Sequence, residues 1–334
     1  MPKTESPTPT ISQYLGEPLR VGAPDLAGPL TVFPIFGPAP QLEYVAFAQG
    51  RTAGVIIKEL ESGPSVRDLV VENPTGTAVL LYEGEEVLGA QQNRNFDTSV
   101  LIPAGERLQV PVSCMEAGRW DASRHAEEFR PAPQTADPTL RRHKAQQAHK
   151  SLAVGAEPRA DQAAVWSEID ERHEREGSIS ESRAMHDVYE LRRDDLDELT
   201  PSIQLHDGQC GAMVLIAGRF AVLDLVSRPE AFAVLHGPLL QGYGLDALAA
   251  ESAELPPGDE IERLLGSIMN ARAAERDGIG LGRDLRFEAG EIVGSGLVAG
   301  EELIQLTAFG ADSAGRDAGE QSLPTRIRRP SQRR

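Results

Sequence analysis

Two short runs of this chain concentrate groups that could do chemistry. The first leads from strand-like apolar residues into Glu85, Gln92, Asn93 and Arg94, and the second carries Cys114, Glu116, Arg119 and Trp120. If Gln92 and Arg94 share one strand face, they present amide donors, an amide acceptor and a planar guanidinium fork to the same volume, an arrangement suited to a carboxylate or a phosphate. The alternative is that the same groups hydrogen-bond internal loops. An amide buried without a partner costs about 1–3 kcal/mol, so either protein partners or a ligand must take them. In the second run, a regular strand places Val110, Val112, Cys114 and Glu116 on one face. Gly118 permits a sharp turn, after which Arg119 can pair with an anion and Trp120 can stack on a flat ring. Glu116 is the candidate general acid or base, and a Glu116–Arg119 ion pair is its structural alternative. Cys114 is a weaker nucleophile candidate. A free thiol has a pKa of about 8.5, and the neighbouring Glu116 raises it further, so a buried, inert thiol is the favoured reading.

The elements that must hold these residues read as follows. Residues 1–27 are rich in Pro, Thr, Ser and Gly and suggest a loosely ordered arm. From there to residue 124 the chain has short β-branched runs, at 30–36, 55–60, 66–71, 78–82, 86–88, 98–102 and 108–114, separated by Gly, Pro and Asn turns; a short helix is expected at 42–48, ended by Gly50. This is the spacing of an antiparallel β sandwich or barrel. Residues 125–201 turn charged and glutamine-rich with helical periodicity, and the dense charge at 168–176 predicts a solvated helical face. Residues 202–310 read as an α+β part packed against the first: a hairpin at 212–226, helices near 229–235 and 260–276, then strands at 285–287, 290–294 and 303–309. Residues 311–334 lose their apolar content and end in a basic tail that includes Arg328, Arg329, Arg333 and Arg334. The fold class expected is therefore α+β.

Composition narrows the partners. A formal net charge of -18 repels phosphate backbones and anionic lipid at long range, so bulk nucleic-acid binding and membrane binding are not expected. A local arginine cluster can still hold a small anionic or nucleotide-like ligand. No apolar stretch is long enough to span a bilayer, no secretory signal is expected, and two cysteines, Cys114 and Cys210, are too few for a disulfide framework, which together point to the cytoplasm. A disulfide between the two would need a geometry that spacing does not supply. His143, His149 and His173 lack the i, i+4 spacing of a helical metal pair, and phosphate loops, dinucleotide fingerprints and serine elbows are absent, so the residues specify no metal and no cofactor.

The pattern Gly-Glu-x-Val-x-Gly-Ala-x-Gln-Asn-Arg at 84–94, followed by Pro-Val-Ser-Cys-x-Glu-x-Gly-Arg-Trp at 111–120, resembles the ARG and rhodanese-phosphatase-superfamily-associated protein domain, a largely uncharacterised prokaryotic and phage family. The resemblance continues more weakly through Asp207, Gly208 and the 212–226 hairpin to about Tyr243. It implies an association with ADP-ribosylglycohydrolase and phosphatase-type proteins, and hence with ADP-ribose or NAD-derived metabolism, without an assigned activity. The positions that match the motifs are Glu85, Gln92, Asn93, Arg94, Cys114, Glu116, Arg119 and Trp120. Two functions stand open. One is a protein that binds or processes a small phosphate-bearing ligand, with Arg94 and Arg119 on phosphate, Trp120 on a ring and Glu116 as acid or base. The other is a non-catalytic interaction or sensor module, with a protein partner and the same polar residues in a structural network.

Overall fold

The computed structural model describes residues 8–63, 65–119, 121–153 and 159–311. Trp120 and the basic tail lie outside the described residues. The architecture is α+β. Its largest sheet runs, in spatial order, Arg20–Val21, Leu30–Phe36, Gly211–Ile216, Arg219–Val226, Glu302–Phe309, Ile292–Ala299, Arg283–Ala289 and Ala273–Asp277, with every neighbour antiparallel. Strand alternation sends Val32, Val214 and Val222 to one face and Phe33, Met213 and Leu223 to the other. The first face packs on the helix Pro229–Ala247 through Phe232, Leu235 and Leu239. The second is covered by the helix Gly258–Met269 through Ile261, Leu265 and Ile268. Because Leu30–Phe36 is hydrogen-bonded to Gly211–Ile216, this sheet joins the first and last thirds of the chain.

Two smaller sheets share a third core. A three-stranded sheet, Val100–Ile102, Ala78–Leu81 and Tyr44–Ala46, contributes Val79, Leu81, Val100 and Ile102. A six-stranded sheet contributes Leu69, Val71, Val87, Phe96, Val110 and Val112; its order is Arg130–Thr135, Glu85–Leu88, Arg94–Phe96, Arg107–Cys114, Asp68–Glu72 and Ile56–Lys58. The helices Pro138–Ala153, Gln162–Glu176, Met185–Leu191 and Arg193–Leu199 occupy the segment where helical periodicity was read, packing Met115, Leu140, Val165, Ile169, Met185 and Leu245 together.

The structure departs from the sequence reading in several places. Residues 8–27 are not a bare arm: a 3-10 turn at Ile11–Tyr14 buries Ile11 and Tyr14, and Asp25–Ala27 pairs with Leu30–Phe36. Residues 42–48 are not one helix, because Tyr44 and Ala46 alternate into the core as a strand parallel to Ala78–Leu81. The helix there is Phe47–Thr52, and Gly50 lies inside it, its Cα packed against Val79 so closely that a Cβ would sit 3.0 Å from that side chain. The helix from Pro229 continues through Pro238 to Ala247 because Leu239, Leu240, Tyr243 and Leu245 are all buried. The helix near 260–276 stops at Met269, and Ala273–Asp277 becomes an edge strand. The charged face at 168–176 is solvated only in part, since Arg172 is 1% exposed and paired with Asp137 and Asp246.

Candidate functional site

The two motif runs meet as adjacent strands. Arg94–Phe96 pairs antiparallel with Arg107–Cys114, so that Cys114 stands opposite Arg94 and Ser113 opposite Asn95. Alternation sends Arg94 and Cys114 to the interior end of the sandwich, in line with Phe96 and Val112. Ser113 and Asn95 face the other way, towards helix Pro138–Ala153, where Ser113 donates to Asp97 at 2.5 Å and Lys144 binds Asp97 at 2.9 Å and Asn95. The turn that precedes Arg94 holds Gly89 at φ 132° and Ala90 at φ 43°, left-handed geometry that folds Gln91, Gln92 and Asn93 back over the strand end.

Most polar groups of this corner satisfy one another, while Arg94 Nε and both carboxylate oxygens of Glu59 have no hydrogen-bond partner among the described residues. Arg119 grips Glu116 bidentately, Nε donating to Oε1 and Nη2 to Oε2, each at 2.7 Å. The backbone N–H of Asn93 donates to the same Oε2 at 3.1 Å. Arg119 also donates to the Ala90 carbonyl at 3.1 Å and to Asn93 Oδ1 at 3.3 Å. Gln92 donates to the Glu116 carbonyl at 2.8 Å and accepts from Arg94 Nη1 at 3.3 Å and from the Cys114 thiol at 3.1 Å. Arg94 is fully buried and lies 3.7 Å from the equally buried carboxylate of Glu59, while its Nη2 donates to the Ser65 carbonyl at 3.2 Å. Within the cluster Arg119 reaches solvent, its side chain 24% exposed against 3% for Glu116.

Electrostatics follow burial. Desolvation raises the pKa of Glu59, with Arg94 opposing it. Burial likewise pushes the Cys114 thiol up, outweighing Arg94, so the thiol is held neutral. Both cysteines are free and buried. Sequence reasoning missed three members of this corner. Gln162 brackets Cys114, accepting from its N–H at 2.8 Å and donating to its carbonyl at 2.9 Å, as a neighbouring strand would. Glu59 and Ser65 come from the segment following Ile56–Lys58. Gly118 has a use beyond a turn: a Cβ there would lie 2.6 Å from the Glu181 carbonyl, and its N–H donates to the Ser182 carbonyl at 2.7 Å.

The profile of one family, described as the ARG and Rhodanese-Phosphatase-superfamily-associated Protein domain (ARPP-1), matches residues 18–309. The chain belongs to this family. Comparison with curated proteins and with solved structures gives no match. The matched span of this ARPP-1 domain takes in both motif runs and most of the buried core, leaving out Ile11 and Tyr14.

Glu85, the remaining motif position, stands apart from the Glu116 corner. Its carboxylate accepts from the Tyr82 N–H at 2.8 Å, closing its own turn, and burial lifts its pKa to about 7. That turn opens onto a second buried network of the ARPP-1 domain that the sequence did not disclose. Arg141 donates to both oxygens of Asp224, at 2.9 and 2.7 Å, and to Glu83 at 3.1 Å. Tyr82 and Tyr243 each donate to Asp224 at 2.6 Å. Burial works to raise the pKa of Asp224, but the Arg141 guanidinium and these hydrogen bonds hold it below the usual carboxylate range. Gly84, at φ 89°, leaves room for Arg141, whose Nε would lie 2.5 Å from a Cβ there. The network ties the turn before Glu85 to the central sheet and to helix Pro229–Ala247.

Proposed function

We propose that this ARPP-1 domain is a non-catalytic binding or sensor module in which the run 82–119 forms a structural network. The observation that carries this reading is the carboxylate of Glu116: both oxygens are taken, by two Arg119 donors and the Asn93 N–H, which leaves it poorly placed to accept a substrate proton. Arg94, the other guanidinium, turns Nη1 to Gln92 and Asn93 and Nη2 to Ser65 and the pair with Glu59. The test is stability set against ligand response. Glu116→Ala and Arg119→Ala should each lower the unfolding free energy measured in urea, and variants that keep full stability would sink the structural reading.

A second reading has one observation in its favour, the exposed edge of Arg119. In it a small phosphate-bearing ligand, ADP-ribose-like or NAD-derived, docks at Arg119 in a cytoplasmic prokaryotic protein. A ligand present at 100 times its dissociation constant stabilises a fold by roughly 2.7 kcal/mol. A thermal shift with NAD, ADP-ribose, AMP or sugar phosphates that disappears in a folded Arg119→Ala variant supports this reading. A panel without any shift counts against it.

A further inference from the structure

A cavity of about 910 Å3 opens between the end of helix Pro138–Ala153 and the strands Arg283–Ala289 and Ile292–Ala299, lined among others by His149, Lys150, Arg272, Arg286, Glu288 and Glu291. Arg286 is the unusual member. It is 6% exposed, and among the described residues its one hydrogen bond runs from Nη2 to Thr98 Oγ1 at 3.0 Å and its buried Nε has no partner. A buried guanidinium normally meets a carboxylate, because desolvating an unpaired charge costs several kcal/mol. The carboxylates whose fields act on Arg286 are already engaged. Asp284 is paired with Arg276, Glu83 with Arg141 at 3.1 Å and Asp97 with Lys144 at 2.9 Å. Burial first, with Arg276 adding, lowers the Arg286 pKa.

The other charges around the cavity can be weighed one by one. Lys150 and Arg272 are exposed at its rim and bring two positive charges. Glu288 and Glu291 are exposed and oppose them. His149 contributes no charge near neutral pH: burial lowers its pKa, its Nε2 faces the Gly294 carbonyl at 3.1 Å, and its Nδ1 lies 3.6 Å from Glu288. The sum of Lys150, Arg272 and Arg286 against the two glutamates is a positive cavity in a chain of net charge -18. Its volume falls within the roughly 300–1,000 Å3 of small-molecule sites.

We propose that this cavity binds a small phosphoryl-bearing molecule, with the phosphoryl group on Arg286 at its floor and Lys150 and Arg272 closing over it. The site is separate from the Glu116 corner and does not depend on how that corner is read. A guanidinium offers phosphate oxygens paired donors in a fixed fork, and partial desolvation strengthens each contact.

The test uses the full chain, with pyrophosphate and AMP as probes and adenosine as the uncharged control, followed by calorimetry and thermal shift. Pyrophosphate and AMP should bind saturably and adenosine should not. Lys150→Ala and Arg272→Ala alter exposed side chains, and each should weaken AMP binding about 10-fold or more, the loss expected for a charge-assisted hydrogen bond. Arg286→Met should abolish binding; if it fails to fold, the Lys150→Ala, Arg272→Ala double variant decides in its place. Binding of adenosine equal to that of AMP overturns the proposal, as does the absence of any response to AMP and pyrophosphate. AMP binding lost in Arg119→Ala but intact in Arg286→Met overturns it too, and moves the ligand to the motif run.

Discussion

Glu116 and Arg119 close on each other twice, at 2.7 Å on each arm, yet the two partners differ sharply in their access to water, 3% against 24%. That asymmetry predicts unequal costs of breaking the pair. Arg119→Ala strands a buried carboxylate with one backbone N–H for company, and should cost about 3–5 kcal/mol. Glu116→Ala leaves a guanidinium that can turn towards solvent and keep its bond to the Ala90 carbonyl, and should cost about 1–3 kcal/mol. Urea denaturation of both variants and of the double variant checks this. The double variant should cost less than the two singles added, since the two residues act as one unit.

Gly118 gives an independent handle on the same corner. Its Cα runs so close to the segment at 181–182 that an added methyl would sit 2.6 Å from one carbonyl oxygen and 2.9 Å from another. Because both are backbone atoms, they cannot swing aside as a side chain would. Gly118→Ala should therefore destabilise by about 1–3 kcal/mol through overpacking. It should also loosen the strip that joins Met115 and Gly118 to Ser182 and Met185, seen as faster amide hydrogen exchange at Gly118 and Met185.

How much of this was legible in the sequence depends on where the information sits. Strands with β-branched alternation between Gly and Pro turns, such as Arg107–Cys114 and the hairpin after Gly211, carry their own period and were placed to within a residue or two. Arg94–Phe96 was missed because Arg-Asn-Phe has no strand period, and its pairing is supplied by the neighbours on either side. Arg130–Thr135 contains Pro131 and Pro133, which sequence rules count against a strand and which are tolerated because it lies at a sheet edge. The inertness of Cys114 could be argued locally from Glu116. The bracket from Gln162, and the lack of a carboxylate pair for Arg286 among the described residues, could not, since each is fixed by segments distant in the chain.

Cys114 should resist modification in the folded state. It is buried to 0% exposure, its single thiol proton is shared between Gln92 Oε1 and the Glu116 carbonyl, and burial raises its pKa. Cys210 is buried too, with its pKa pushed up to about 11. Iodoacetamide at neutral pH should label neither residue on the timescale that labels free thiols, and both should react once the chain is unfolded in urea. Rapid native labelling at Cys114, read by peptide mass spectrometry, would instead restore it as a nucleophile candidate.

Glu86 makes the pH dependence of stability specific. Burial lifts its pKa from 4.5 to about 8, against the hydrogen bond from Gln134 Nε2 at 2.7 Å and with Glu116 and Asp187 adding repulsion. Its Oε1 has no partner among the described residues, as suits a carboxyl group that holds a proton. Since the folded state binds that proton more tightly than the unfolded chain, the contribution of Glu86 is fully present below about pH 4.5 and is lost progressively until the pH passes about 8. Asp224 works in the opposite sense: its depressed pKa contributes stability above the unfolded value that is lost in stronger acid, so the two carboxyls act in separate windows. Glu86→Gln keeps the shape and an amide oxygen for Gln134 while removing the proton requirement. The variant should match the parent near pH 5 and exceed its Tm near pH 8.5. A parent and variant whose Tm curves run parallel from pH 5 to 8.5 would show that Glu86 titrates normally in the fold.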